Sequence, residues 1–490
     1  MPRFRQRNWL ALLAAVPGVV LAVQVYFTCG IVYSLDDPYI HLALARQILH
    51  GNYGINPGEF AAPASSILWP FLLAPFAFTS LSEFVPLVLN LGALAIAVWW
   101  IDRWLGDWLS PGWALLATVA AAFALNFYGL VLTGMEHSLQ VTLVVIVGLS
   151  LVQDRIAWPF WLSVVLLPLV RYEGLAISLP ALAWLAFLPE HRSKVFAAAA
   201  IIAVTVGGFS LFLHAAGLGW LPSSVLVKND PAFSVRLHEI PDNIKKQFFF
   251  VAIALFAGWL YWREGRVREG LLLVATPTLL HLVFGRYGYF GRYNVYWLVW
   301  ILILFWPVYA RSRLVRLVPI NLILVAGLAW GVRPEVMATL TTASGSRNIH
   351  DQQKQMGVVA RDFLDEPVAV NDLGFVSFYA RRYVLDLSGI GSYEAFKLDA
   401  ASTSDEWIAG LMERRKVEHA MIYDVRFEHR PANWIRVATL YLPPPWITVG
   451  DDQVTFYSTG PAAAARLRRA LGEYRKSSTQ AALMLVLAPQ

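Results

Sequence analysis

Two adjacent carboxylates, Asp36 and Asp37, head the run DDPYIHLALARQILHGNYGINPGE. Two roles are open to them. Pro38, suited to a first helical position, begins a helix that either side chain could cap by accepting backbone N–H bonds at the positive end of its dipole. Like charges this close also raise one pKa, and a carboxyl with a raised pKa is the better general base near neutral pH. Other polar residues come in short groups between apolar stretches: Glu136 and His137 in TGMEHS, Arg171 and Glu173 in RYEG, Lys228 after LPSSVLV, and Arg286 and Arg292 in FGRYGYFGRYN. A carboxylate between apolar segments is costly, and is as a rule functional or paired. Arg171 and Glu173 are near enough in sequence to pair with each other. His41 and His137 lack the H-x-x-x-H type of spacing that holds a metal, and a single cysteine, Cys29, excludes an internal disulfide and any Cys-cluster metal site.

The elements that must carry these residues are set by composition. Of 490 residues, 57% are hydrophobic and only 15% charged, and the mean hydropathy is +0.53. Soluble domains carry about 25% charged residues, so a water-soluble enzyme is excluded. Residues 1–332 hold 21 basic and 15 acidic side chains, and residues 333–490 hold 18 of each. The basic surplus therefore lies in the apolar part, where it reports topology and not nucleic-acid binding. Apolar stretches long enough to suggest spans run at 9–27, 84–101, 112–130, 138–153, 156–170, 175–189, 195–216, 247–262, 270–284, 293–309 and 317–332. A twelfth, 66–81, is short and holds Pro70 and Pro75. If it only dips into the bilayer, the basic loops around Arg5, Arg192, Arg266 and Arg313 all fall on the cytoplasmic side. About eleven crossings plus a re-entrant or juxtamembrane segment are then expected, with residues 28–65 forming a first outer loop. The loop groups above converge on the outer face in this arrangement.

The same groups carry a resemblance. The run from DDPYIH through NPGE to SSILWP resembles the first periplasmic loop of the GT-C class of integral membrane glycosyltransferases, in particular the bacterial branch with mycobacterial-type arabinofuranosyltransferases. TGMEHS resembles that branch's S-G-M-E-T, and VRYEG its L-R-P-E-G with Tyr172 for Pro. LPSSVLVK resembles L-P-N-S-x-Y-x-K with Ser223 for Asn and Leu226 for the aromatic, and GRYNVYW resembles R-Y-L-L-P without the Pro. VNDLGFVSFYARRYVLDLSG resembles the outer-domain pattern D-x-G-x-x-x-Y followed by D-x-x-G-L. The resemblance implies an inverting transfer of a sugar from a polyprenyl-phosphate donor to a hydroxyl of a glycan, lipid-linked glycan or glycoconjugate. It implies Asp36 as the base, Asp37 as its orienting neighbour, and Lys228 and Arg292, with Arg46 and His41, as ligands of the donor phosphate. Tyr39, Tyr53, Trp69, Glu136, His137, Arg171 and Glu173 are the expected substrate contacts. No cofactor is required, and a divalent cation is permitted but not demanded. The expected setting is a multi-pass inner or plasma membrane protein whose site and C-terminal domain are extracytoplasmic, with membrane lipids as partners.

From residue 333 onward, β-like runs PVAVND, GFVSFYA, YVLDLSG, HAMIYDV and QVTFYST alternate with helical patterns at 351–364 and 404–416, which predicts an α/β or α+β domain over 333–490. Asp372 and Asp386 read as turn and strand-end residues, and the basic RLRRAL…YRK with the apolar end AALMLVLAP as a helix returning to the membrane surface. Competing readings are a flippase or transporter for a polyprenyl-linked sugar, a non-catalytic glycan-binding protein, and a protein O-glycosyltransferase. A transporter would be expected to show internal repeats and polar residues at midplane, and neither is seen in the sequence.

Overall fold

The computed structural model describes residues 10–228, 233–402, 404–427, 429–477 and 484–489. Every one of the eleven apolar stretches folds mainly as helix. Among the described residues five helices are long and apolar enough to cross a bilayer: Leu10–Cys29, Val85–Leu105, Pro189–Ala215, Val267–Phe284 and the first part of Val318–Leu364. A sixth span is available if Arg236–Lys246 and Phe248–Arg263, bent by 93° at their junction, count as one broken unit. The chain is thus a mostly helical multi-pass membrane protein.

The expected eleven full crossings are more than these lengths supply. Pro111–Ala124, His137–Val152, Trp158–Val170 and Val295–Arg311 are apolar but only 10–17 residues long, and ~20 residues are needed to span ~30 Å. Prolines account for part of the shortening. Pro168, Pro180 and Pro307 lie inside Trp158–Val170, Leu175–Leu185 and Val295–Arg311, where each removes an N–H donor and crowds the preceding turn. Packing accounts for the rest: His137–Val152 is buried along almost its whole length, so protein and not lipid surrounds it. Segment 66–81 forms only the six-residue helix Leu68–Leu73 and the single turn Ala74–Phe76, roughly 9 Å of helix at 1.5 Å per residue, which does not cross.

Beyond the last apolar helix there is no linker. Val318–Gly331 leads directly into the polar helix Arg333–Asp351, which carries the chain into a mixed six-stranded sheet of order β2-β1-β3-β5-β4-β6. Strands β1 (Val368–Val370), β2 (Val384–Asp386) and β3 (His419–Ile422) pair in parallel; β4 (Ile435–Tyr441), β5 (Gln453–Ser458) and β6 (Leu485–Leu487) complete the sheet antiparallel. Two expectations are corrected here. GFVSFYA is the helix Gly374–Tyr379 despite its strand-like composition, because Phe375 and Phe378 pack against the first loop and Asp36 holds its first amides. The basic part of the expected C-terminal helix does form the helix Pro461–Ser477, but that helix packs on β4 and β5, and the apolar end supplies edge strand β6 on β4.

Candidate functional site

The loop helix Asp37–Leu49 begins as the sequence predicts, yet neither carboxylate caps it. Asp36 turns instead to the C-terminal domain. Its Oδ2 accepts the Gly374 N–H at 2.5 Å and its Oδ1 the Phe375 N–H at 2.8 Å. Such an approach requires glycine, since a Cβ on residue 374 would lie 2.0 Å from the Asp36 carbonyl oxygen and 2.5 Å from its Cγ. Burial, then the nearby Asp372 carboxylate and more weakly Asp37, push the Asp36 pKa well above the ordinary carboxylate range, against the pull of the two amides.

The same face of the loop helix anchors the domain. Tyr39 stacks on Phe375 with centroids 3.6 Å apart, and its hydroxyl accepts the Tyr33 N–H. Arg46 donates to the Phe378 carbonyl at 2.6 Å and lies over the Phe378 ring. Arg46 and Tyr39, expected as phosphate and substrate contacts, thus lie in the contact between the loop helix and the C-terminal domain, while His41 and Trp69 are buried. Tyr53 is enclosed between Phe209 and Phe212, which removes it from a sugar-stacking role.

Asp37 turns instead to the loop that precedes the helix Val295–Arg311. It pairs with Arg292 at 2.6 Å. Arg292 is 1% exposed, and its Nε and Nη1 have no hydrogen-bond partner, while its Nη2 donates to the Tyr293 hydroxyl at 3.0 Å. Next to it lies a second ionic group. Arg171 donates to Glu136 at 2.7 Å and to Glu173 at 2.8 and 3.2 Å, reaches Ser65 at 3.2 Å, and stands over the Tyr293 ring. Burial opposes charge on Glu173, but the Arg171 guanidinium holds its carboxyl below the ordinary value. His137 packs edge-on against Tyr293. The turn that delivers Glu136 and His137 needs Gly134, whose φ of +66° and contact with Tyr33 and Pro38 leave no room for a side chain.

Tyr293 also walls a cavity of about 370 Å³, together with Ser65, Arg171, Tyr172, Glu173, Ser224, Arg236 and Arg286 on its polar side and Leu221, Val225, Leu226 and Phe284 on its apolar side. A second cavity of about 330 Å³ shares Arg236, Arg286 and Tyr293 with it. Residues of four sequence groups, the end of the first loop, RYEG, the LPSSVLV segment and FGRYGYFGRYN, thus line one space. The cations that line it are Arg171, Arg236 and Arg286, whereas Arg292 stands behind Tyr293 with its charge on Asp37. Arg292, expected as a ligand of the donor phosphate, is not among the residues that line this cavity. Lys228 ends the helix Ser223–Lys228, and its side chain lies outside the described residues. Among the described residues no group of three or more His, Cys, Asp or Glu side chains could hold a metal ion.

Sequence reasoning gave Arg236 and Arg286 no more than a place among the outer-face cations, and it undervalued Asp372. Arg236 lies in no motif. Asp372 stood inside the D-x-G pattern, where a turn role accounted for it until the fold brought it to Asp36. Residues 347–457 match a family described as Domain of unknown function (DUF8728). No curated protein matches the chain.

Proposed function

We propose that this protein is a GT-C-like inverting glycosyltransferase that moves a sugar from a polyprenyl-phosphate donor to a hydroxyl of a glycan or glycoconjugate acceptor on the extracytoplasmic side of the membrane. The observation that carries this reading is the Asp36 carboxylate, held by two backbone amides, next in the chain to Asp37, whose partner Arg292 bonds Tyr293 in the wall of a half-apolar cavity lined by three arginines. Asp36 takes the proton of the acceptor hydroxyl, the resulting oxygen attacks the anomeric carbon, and the bond from that carbon to the phosphate oxygen breaks with its electrons leaving on polyprenyl phosphate. One base suffices for inversion, since no covalent intermediate forms and the phosphate leaves as an anion. Arg236 and Arg286 take the phosphate charge as it develops, because a guanidinium fork suits phosphate oxygens. The apolar wall of Leu221, Val225, Leu226 and Phe284 receives the first units of the carrier chain.

Asp36 must be ionised to act, and its pKa is raised. The acid limb of kcat/KM is therefore expected at a pH above the ordinary carboxylate value of about 3.9, and Asp36→Glu should move that limb; a limb unaffected by any change at residue 36 excludes it as the base. Arg236→Ala combined with Arg286→Ala should raise the donor Kd by at least about tenfold, on the order of 1.4 kcal/mol, with acceptor binding unchanged. Titration with the donor's phosphate-free analogue separates the two contributions, since that ligand should lose little.

Sidedness is tested by single cysteines in a background lacking Cys29. Replacements at Ser193 and Ser312 should stay unlabelled by a membrane-impermeant thiol reagent in intact cells, and replacements at Lys245 and Ser404 should label. The reverse pattern would put Asp36 where nucleotide sugars are available and remove the reason for a lipid-linked donor.

A further inference from the structure

The parallel half of the sheet ends toward the first loop, and three polar residues stand at those carboxyl ends: Asp372 after β1, Asp386 at the end of β2 and Tyr423 after β3. In sheets with parallel strands, that edge is where ligands bind. Asp386 is already engaged, accepting the Ser388 and Gly391 N–H bonds that shape its own loop. Asp372 is held differently. Gln353 Nε2 and the Tyr423 hydroxyl both donate to its Oδ2 at 2.7 Å, and among the described residues no hydrogen bond reaches Oδ1. Asn371 Oδ1 accepts the Tyr423 N–H at 2.7 Å, tying the ends of β1 and β3 together so that Asp372 is fixed against the sheet. Gln353 is 1% exposed, and its Oε1 has no partner in this buried polar cluster.

We propose that Asp372 is a positioning residue for the transfer, supplied by the C-terminal domain to stand across from Asp36, so that the domain completes the acceptor side of the site. The inference rests on the reading of Asp36 as the base. The groups facing Asp36 are few. Its own loop offers Asp37, which is paired with Arg292; the domain offers Asp372, two residues before the Gly374 amide that Asp36 accepts, with the Tyr423 hydroxyl bonded behind it. The helix Gly374–Tyr379 offers two amides and Tyr379, whose hydroxyl is bonded to Glu83, and the helix Leu68–Leu73 carries no charge. Asp372 is therefore the charged group outside its own loop that most favours a proton on Asp36, and removing its charge lowers the pKa of Asp36.

The test uses the purified full chain and reads the carboxyl directly. Infrared difference spectra, wild type against Asp36→Asn as a function of pH, isolate the midpoint of the Asp36 carboxyl. In the Asp372→Asn background that midpoint should fall by about one pH unit, the low end for a neighbouring charge, and Tyr423→Phe should move it the same way by less. Asp372→Glu should restore most of the wild-type value, which a merely structural defect would not do. An unchanged midpoint in both Asp372→Asn and Tyr423→Phe overturns the inference. A parallel assay with polyprenyl-phosphate sugars separates the two levels: a wild type that titrates as expected but transfers nothing defeats the proposed reaction, while a transferring enzyme whose acid limb ignores Asp372→Asn defeats the role of Asp372.

Discussion

Asp36→Asn should lower sugar transfer by about 10²–10⁴-fold, the range a positioned base contributes, with donor affinity nearly unchanged because the cavity arginines are untouched. The substitution has a second, smaller effect. An asparagine keeps one oxygen, so only one of the Gly374 and Phe375 amides retains its acceptor, and the other meets an NH2 group. Leaving one buried amide unsatisfied costs about 1–3 kcal/mol, which should appear as a modest drop in melting temperature. Loss of turnover far beyond what that loosening explains marks the proton acceptor. The Tyr39–Phe375 stack and the Arg46 bond to the Phe378 carbonyl continue to hold the domain. Asp37→Asn should be milder in rate and harsher in stability, because Arg292, buried and with two nitrogens unpartnered among the described residues, would lose its ion pair with Asp37. Breaking a buried pair by removing one partner costs about 3–5 kcal/mol. If Asp37→Asn is inactive in folded protein while Asp36→Asn turns over normally, the roles within the pair are reversed.

Gly374→Ala is expected to have the other large effect, although residue 374 contacts no substrate. Its new Cβ would meet the Asp36 carbonyl oxygen at 2.0 Å and the carboxyl at 2.5 Å. One side must withdraw. Because Asp36 sits on a short turn between the span Leu10–Cys29 and the loop helix, the carboxylate and the domain separate, and a displacement near 1 Å can cost about 10²-fold in rate. Overpacking of this kind destabilises by about 1–3 kcal/mol, so the protein should still fold, and limited proteolysis should find the C-terminal domain released more readily. A Gly374→Ala protein with wild-type turnover would mean that the contact between Asp36 and the domain has no part in the reaction.

Much of this architecture was legible because it depends on local signals. Apolar runs gave the helices, and the charge balance changed where Arg333–Asp351 leaves the apolar bundle. Of the polar residues singled out in sequence, Arg171 and Glu173 line the cavity, and Glu136 reaches it only through Arg171. What was not legible depended on packing between distant segments. Arg46 and Tyr39 carry types that suit a phosphate or a sugar, and only the position of the helix Gly374–Tyr379 assigns them to an interface. GFVSFYA has the composition of a strand, and the tertiary contact with Asp36 decides against that propensity. Arg292 looked like a phosphate ligand because its motif ends at a membrane boundary, but Asp37, some 250 residues earlier in sequence, takes its charge. Span lengths were overcounted for a related reason, since hydropathy does not distinguish a helix that faces lipid from one, like His137–Val152, that is surrounded by protein.

The most direct measurement is release of polyprenyl phosphate by the purified full-length protein incubated with a panel of polyprenyl-phosphate sugars and glycan acceptors. Release should occur with at least one donor, require an acceptor, yield a glycoside of inverted anomeric configuration, and vanish in Asp36→Asn protein that still binds that donor. No release from any donor, a product of retained configuration, or equal release by Asp36→Asn would contradict an inverting transfer with Asp36 as its base.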